Sequence, residues 1–115
     1  MMVPDDRLYL IHIKECIRSI EDYTAEGREA FFADKKTQDA VLRNLHILSE
    51  STQRVSRPLK EKHAEIDWRS ITAFRNVVVH NYLGVDLKVV WDIVQQDLPD
   101  LKRKVDFILR QLEGS

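Results

Sequence analysis

Apolar residues return at three- and four-residue steps along most of this chain, and that period constrains the fold more than any other feature. The first such segment, residues 5–24, carries the apolar stripe Tyr9, Ile13, Cys16, Ile17, Ile20 and Tyr23. This spacing places side chains on one face of an α-helix. No segment alternates like a half-buried strand, and the 115 residues include only three glycines and three prolines. The pattern therefore predicts an all-α protein.

The same period predicts further helices and their limits. A long helix over residues 37–56 carries Val41, Leu45, Leu48, Thr52 and Val55, and another stripe near the C-terminus carries Leu101, Val105, Ile108 and Leu112. The predicted boundaries fall at cap and helix-breaking residues: Gly27, Thr37, Pro58, Asn81, Gly84, Asp86 and Pro99. Thr37 and Asp86 are predicted caps, and Pro99 suits the first turn of a last helix. We expect a mostly antiparallel bundle of about five helices with short connections.

Composition bounds the size of the core and the kind of partner. Hydrophobic residues make up 43% of the chain, enough for one core, so we expect a single domain over residues 1–115. The formal net charge is −1, so no global positive field attracts nucleic acid, and RNA binding would need a local patch. The best local basic patch comprises Arg54, Arg57, Lys60, Lys62 and His63, and it either contacts the RNA backbone or is a solvated loop.

Several functional classes find no support in the residue types. The four histidines and the single cysteine, Cys16, lack tight metal-ligand spacing, so we expect no metal, and Cys16 is predicted to be buried. No glycine-rich phosphate loop is present, and no cofactor is expected. Trp68 and Trp91 are predicted to anchor a core or an interface rather than to serve as base-stacking platforms. Without a signal pattern or a run of ~18 apolar residues, we expect a cytoplasmic protein with no membrane partner.

The stretch RNVVVHNY, from Arg75 to Tyr82, is either a piece of core with polar ends or a functional site. Arginine matches phosphate oxygens, and histidine exchanges protons near neutral pH, so the pair suits metal-independent cleavage of RNA through attack by the 2′-hydroxyl. On a regular helix, however, Arg75 and His80 lie roughly 140° apart. Either the helix deforms after Val79, or a two-fold dimer brings both groups from two chains into one cleft.

This stretch also resembles a known signature. Arg75, four residues, His80, one residue and Tyr82 match the motif of the HepT-type HEPN ribonuclease toxins. Residues 67–103 resemble that family almost throughout, including Trp68-Arg69 before the motif, Gly84-Val85-Asp86 after it, and Val90-Trp91 and Asp97-Leu98-Pro99 further on. The N-terminal half resembles it in Tyr9-Leu10, Ile13, Tyr23 and Gln38-Asp39-Ala40-Val41. The resemblance therefore covers nearly the whole chain.

The resemblance implies a five-helix HEPN bundle, usually a homodimer, with the motif at the dimer cleft. It implies a toxin of a toxin–antitoxin pair whose antitoxin is a minimal nucleotidyltransferase, similar to MntA, that transfers AMP from ATP to the motif tyrosine. By position, Arg75 and His80 take the catalytic roles, Asn76 a supporting polar role, and Tyr82 the role of AMP acceptor. RNA is then the expected substrate.

One departure and one alternative accompany this interpretation. Where relatives often carry Gly-Glu-Ala, this chain has Ser49-Glu50-Ser51, and the two hydroxyls could alter dimer geometry if the stretch packs against a partner helix. Glu50 either orients a catalytic group or is a solvated or salt-bridged helix acid. The near-zero net charge leaves open a non-catalytic module that docks a nucleotidyltransferase or binds nucleotide or RNA without cutting.

Overall fold

Helices account for all regular secondary structure in the computed structural model, which describes residues 4–79 and 86–114. In chain order the elements are α1 (Pro4–Tyr23), α2 (Arg28–Ala33), α3 (Lys35–Arg54), α4 (Arg57–Lys62), α5 (Trp68–Thr72), α6 (Phe74–Val79), α7 (Leu87–Asp92), a π-helical turn (Ile93–Asp97) and α8 (Leu98–Gly114). Over these two ranges no residue belongs to a strand. The predicted all-α bundle is confirmed.

The core lies where α1 packs against α3 and α8, while α5 and α6 pack against α3. Most of the fully buried hydrophobic side chains come from the predicted stripes: Ile13, Ile17, Ile20, Val41, Leu45, Leu48, Val105 and Ile108. Leu10, Phe31, Val90 and Leu98 are equally buried but lie outside those stripes. Cys16 is buried as predicted, and burial raises the pKa of its thiol to about 11. Tyr23, predicted to belong to the stripe of α1, is instead 47% exposed, because α1 ends at this residue.

Three ion pairs join α1 and α8 along the seam between them. Arg7 lies 3.1 Å from Glu113, Lys14 lies 2.7 Å from Asp106, and Lys102 lies 3.0 Å from Glu21. Higher residue numbers in α1 pair with lower residue numbers in α8, so the two helices are antiparallel. Because all six side chains are partly or largely exposed, each pair contributes less than about 1 kcal/mol, and together they mainly fix the register.

A buried carboxylate ties the first turn of α1 to the start of α4. Asp6 is 1% exposed, and its side chain accepts hydrogen bonds from the Ser56 amide at 2.8 Å and from the Ser56 hydroxyl at 2.6 Å. Ser56 in turn caps α4, since its Oγ accepts from the Leu59 amide at 3.4 Å. The predicted first-turn acid is therefore also a tertiary contact between positions 50 residues apart.

Two short connections show why helices begin and end where they do. Gly27 has a φ of 99°, which a residue with a Cβ rarely adopts, so the predicted interruption after α1 is confirmed. The predicted cap Thr37 is wrong: α3 begins at Lys35, and Asp34 is its N-cap. The Thr37 hydroxyl donates to the Asp34 carboxylate at 2.7 Å, and this bond, with one from the Lys36 amide, lowers the pKa of Asp34.

The last two predicted helices form one continuous helical rod, from Leu87 to Gly114, without a loop at Pro99. Asp86 caps its start as predicted, accepting from the Lys88 amide at 2.9 Å. The π-helical turn precedes the proline, and the Leu98 amide donates to the carbonyl of Ile93, five residues earlier. Proline has no amide hydrogen and clashes with the carbonyl four residues before it in a regular helix. The wider turn accommodates Pro99 without ending the helix.

Candidate functional site

The start of α5 is held firmly, and this orients the helix that leads to the predicted motif. Asp67 is the N-cap, and its carboxylate accepts from the Ser70 hydroxyl at 2.6 Å and the Ser70 amide at 3.1 Å. These two hydrogen bonds lower the pKa of Asp67, and the bond from the Ser70 hydroxyl has the larger effect. The Trp68 indole donates its Nε1 hydrogen to the His63 carbonyl at 3.0 Å. These bonds join the two ends of the α4–α5 connection to each other and fix the start of α5.

Helices α5 and α6 form nearly one helix with a tightened joint at Ala73. The Ala73 backbone stays right-handed helical, with φ −69° and ψ −14°, and its amide donates to the Arg69 carbonyl at 3.0 Å. The Asn76 amide donates to the Ala73 carbonyl, three residues back, at 2.9 Å. Ile71 and Phe74 are buried. The joint keeps α5 and α6 on α3 and carries the chain toward the motif.

Arg75 and Asn76 are both exposed on α6. Neither side chain has a hydrogen-bond or ion-pair partner within residues 4–79 and 86–114, so the Arg75 guanidinium keeps its donors available to a ligand. The helix continues through Val79. The predicted residues His80 and Tyr82 lie outside the described residues, as do Asn81 and Gly84, where the predicted helix end falls. Whether His80 meets Arg75 therefore stays a prediction.

The Ser49-Glu50-Ser51 stretch faces the inside of a single chain. Ser49 and Ser51 are both buried within the bundle, and the Ser49 hydroxyl donates to the His46 carbonyl at 2.8 Å. Glu50 is half-buried, with Oε1 3.0 Å from His46 Nε2, so of the two predicted roles the structure supports a helix acid paired to a neighbour. The added hydroxyls are accommodated by the chain's own helices.

The predicted basic patch is only partly a surface feature. His63 is buried, and its Nδ1 lies 3.1 Å from Glu65 Oε1, so its inclusion in the patch is wrong. Arg57 and Lys60 line an open cleft of about 720 Å³ between α3, α4 and α5, and Trp68 and Arg69 line its other wall. We call this the basic cleft. Sequence reasoning missed Arg69, because the residue lies in the next helix and outside the run of cations that marks the patch.

A second cleft lies on the other flank of α5, and most of its charged side chains are acidic. It has a volume of about 380 Å³, and the charged side chains that line it are Glu65, Asp67, Asp97, Asp100 and Lys104. We call this the acidic cleft. Asp97 is an exposed residue, but partial desolvation of its carboxyl, reinforced by the nearby carboxylates of Asp100 and Asp92, raises its pKa. Four carboxylates against one lysine make this flank unfavourable for a polyanion.

Other predicted features fall into structural roles. Trp91 is half-buried against the core, 5.4 Å from the Phe31 ring, and Trp68 also packs against the core, so both are anchors as predicted. Within the described ranges no three His, Cys, Asp or Glu side chains converge as a metal site. The same part of the chain contains no helix with the length and apolar character to cross a membrane.

Comparison with known proteins supplies the family. The model of the family described as "HepT-like: Ribonuclease HepT-like" matches residues 13–108. A relative named "Probable ribonuclease HepT", from Thermococcus cleftensis, is 42% identical over 99 residues, covering 85% of this chain and 90% of the relative. A bacterial protein named "Putative RNase TTE0752", from Caldanaerobacter subterraneus, is 31% identical over 106 residues, 91% of this chain and 95% of that protein.

A further relative is longer than this chain. The protein named "Gamma-glutamylcyclotransferase and putative RNase MJ0434", from Methanocaldococcus jannaschii, is 36% identical over 113 residues. The match covers 97% of this chain, which spans about half (51%) of that relative's length. No solved structure matches the chain at a significant level. The family model, which matches most of the chain, and the near full-length relatives show that the chain belongs to the HepT-like ribonuclease family of HEPN proteins.

Proposed function

We propose that the protein is a metal-independent endoribonuclease, the toxin of a toxin–antitoxin pair, acting on cytoplasmic RNA at a site built around Arg75 and His80. The observation that carries the proposal is an exposed Arg75, free of partners within the described residues, on α6 of a HepT-like ribonuclease chain.

The proposed chemistry needs no metal. The ribose 2′-hydroxyl attacks the adjacent phosphorus, the bond to the 5′-oxygen of the next nucleotide breaks, and a cyclic phosphate remains. His80 exchanges the protons of the attacking and leaving oxygens, and the Arg75 guanidinium stabilises the charge on the phosphoryl oxygens. Asn76, exposed beside Arg75, offers an amide that orients the same phosphate.

A homodimer would solve the geometric problem posed by the spacing. Because α6 is helical through Val79, a regular continuation would leave His80 roughly 140° around the axis from Arg75. A two-fold axis beside α6 would bring Arg75 of one protomer toward His80 of its partner and create two equivalent acid–base sets in one cleft.

The proposed regulation acts on Tyr82. A minimal nucleotidyltransferase antitoxin would transfer AMP from ATP to the tyrosine oxygen with release of pyrophosphate. An adenylate on Tyr82 would add bulk and negative charge at a site that must admit RNA phosphates, and so would block it.

Cleavage is tested with purified protein and labelled RNA in the presence of a metal chelator. We expect Arg75→Ala and His80→Ala each to reduce the cleavage rate by about 100-fold or more, since each removes a group that acts in the transition state. Lys36→Ala is a matched control, because it removes an exposed cation from the first turn of α3, outside the proposed site. Wild-type and double-variant proteins that leave RNA equally intact would reject the nuclease proposal.

AMP transfer is tested by mass spectrometry after incubation with the antitoxin and ATP. We expect one or more AMP units on the wild type and none on Tyr82→Phe. Tyr23→Phe is the control, because Tyr23 is the exposed tyrosine of the described residues and offers a competing hydroxyl. Full labelling of the Tyr82→Phe protein would contradict the assignment.

A non-catalytic docking module is the second candidate, favoured by the acidic cleft and the near-zero net charge. Under it, His80→Ala leaves every phenotype of the protein unchanged, whereas Asp97→Lys with Asp100→Lys abolishes partner capture. Substitution of Trp91 would be a poor test, since its ring packs against Phe31 in the core. Loss of cleavage in His80→Ala, with partner binding retained, would reject this candidate.

A further inference from the structure

We propose that the basic cleft binds the backbone of single-stranded RNA beside the scissile phosphate, so that substrate is held by a subsite away from the reacting groups. The inference rests on the proposed nuclease function. It adds a binding position for the part of the RNA strand that flanks the cleaved bond. The cleft lies between the end of α3, α4 and the start of α5, and its cations come from two separate helices.

Two arginines on opposite walls of the cleft have guanidinium groups available for phosphate. The Arg57 side chain is 90% exposed, and its Nε lies a loose 3.9 Å from Glu61. Arg69 is exposed, and no side chain within residues 4–79 or 86–114 pairs with it. Planar guanidinium groups bind phosphate oxygens with two hydrogen bonds, so each arginine can hold one phosphodiester.

The carboxylates that line the same cleft compete weakly with these cations. Asp67 lines both clefts, and Ser70 engages both of its oxygens. The hydrogen bonds from Ser70 and, to a smaller extent, the nearby Arg69 charge lower the pKa of Asp67, so its charge partly offsets that of Arg69 in the basic cleft. Glu61 is 73% exposed and can swing into solvent. Lys60 adds a third cation at the base, where its Nζ lies 3.5 Å from the Gln53 carbonyl. Burial lowers the pKa of Lys60, and the nearby Asp6 carboxylate opposes that shift.

Trp68 gives the cleft an aromatic wall that cannot easily move. Its indole is fixed by the hydrogen bond to the His63 carbonyl and by packing against the core, yet the residue lines the cleft. A fixed aromatic ring beside arginines is the arrangement with which proteins hold single-stranded nucleic acid, stacking a base while cations bind the backbone. Such binding tolerates different sequences, because every base has a flat face to stack.

The cleft also leads toward the proposed reacting groups. Trp68 and Arg75 are seven residues apart on the nearly continuous α5–α6 helix, so they share a face about two turns apart, roughly 10 Å along the axis. An extended RNA strand bridges that distance with a few nucleotides. On the opposite flank of α5 the acidic cleft repels phosphate, so the charges favour one path for the strand.

Binding, separated from cleavage, tests the subsite. In a His80→Ala background, the affinity for labelled single-stranded RNA is measured over a range of salt concentrations. We expect Arg57→Ala with Arg69→Ala to weaken binding roughly tenfold. The slope of log affinity against log salt should fall by about 1.4, which is about 0.7 for each phosphate that an arginine no longer neutralises. Arg18→Ala with Lys36→Ala removes the same charge elsewhere on the surface and should change affinity less than about twofold.

A second measurement uses fluorescence, because the chain has only two tryptophans. Trp91→Phe keeps an aromatic ring against Phe31, its folding is verified by circular dichroism, and its remaining indole is Trp68. We expect saturable quenching by the single-stranded RNA but not by a dinucleotide. RNA cleavage by the parent protein with unchanged binding in the double arginine variant would overturn the subsite while leaving the nuclease proposal intact. RNA binding that depends on Arg57 and Arg69, without any RNA cleavage by the parent protein, would overturn the nuclease proposal and leave the subsite intact. Normal RNA binding combined with lost antitoxin capture would identify the cleft as a protein-docking surface and would also overturn the inference.

Discussion

The Asp6–Ser56 contact gives the sharpest test of how this bundle is held together. Asp6 is 1% exposed and accepts two hydrogen bonds from Ser56, at 2.8 and 2.6 Å. Asp6→Ala removes the acceptor of both and leaves a Ser56 amide and hydroxyl to find water in a half-buried position. The substitution should therefore loosen the start of α1 from the α3–α4 turn.

The magnitude follows from the two hydrogen bonds. A hydrogen bond to a charged group contributes about 1.5–3 kcal/mol. We take the lower end, because Ser56 is only half-buried and water can replace part of the loss, which gives about 3 kcal/mol. Domains of this size are stabilised by roughly 5–15 kcal/mol, so the loss is a large fraction of the total. It corresponds to a fall in melting temperature of roughly 12 °C.

The assay is thermal and urea unfolding followed by far-ultraviolet circular dichroism at neutral pH. Asp5→Ala is the matched control: it removes the adjacent carboxylate from the same helical turn, but Asp5 is exposed. Only the favourable interaction with the helix dipole disappears there, at most about 1 kcal/mol. Equal destabilisation by the two substitutions would refute the reasoning, because the effect would then come from first-turn charge and not from the contact with Ser56.

Three further predictions follow from single residues. Gly27→Ala should lower the free energy of unfolding by about 1–2 kcal/mol, since φ is 99° and no atom lies near the added Cβ; an unchanged urea midpoint would contradict this. Asp97→Asn should raise the melting temperature at pH 7, because partial desolvation and the carboxylates of Asp100 and Asp92 raise the folded-state pKa of Asp97 and its ionised form is unfavourable. The gain should disappear as the pH falls below 3.8, the ordinary value for this carboxyl, where Asp97 is neutral in both states; a gain independent of pH would point to another cause. Cys16, with a pKa of about 11, should react with a disulfide reagent at neutral pH only as fast as the protein unfolds, so rapid labelling of the folded chain would contradict its burial.

The sequence was most informative where a local pattern decides the structure. The stripes of α1, α3 and α8 identified the core because the helical period depends on neighbours three and four residues away. Asp86 was recognised as a cap for the same reason, since its partner, the Lys88 amide, is two residues on. Arg75 was singled out by residue type and by the family resemblance; the structure shows it exposed on α6, and its catalytic role stays a prediction.

The predictions that failed concern features that depend on residues far away in the sequence. The partner of Asp6 is 50 residues away, and the burial of His63 depends on how the α4–α5 connection folds back, as the bond from Trp68 to its carbonyl indicates. The sequence pattern predicts a helix start at Pro99, because it does not show that the preceding turn widens to accept the proline. Arg69 joins Arg57 across a cleft that exists only after folding.

The antiparallel seam of α1 and α8 has a consequence for how such a domain can be combined with others. Because Arg7 touches Glu113, the first turn of α1 and the last turn of α8 lie side by side at one edge of the bundle. A polypeptide fused at either end would emerge from that same edge, and a short peptide could join the two ends to give a circularly permuted protein. A fused domain would therefore need to make no contact with α6, where Arg75 lies, and would leave the packing of the helices unchanged.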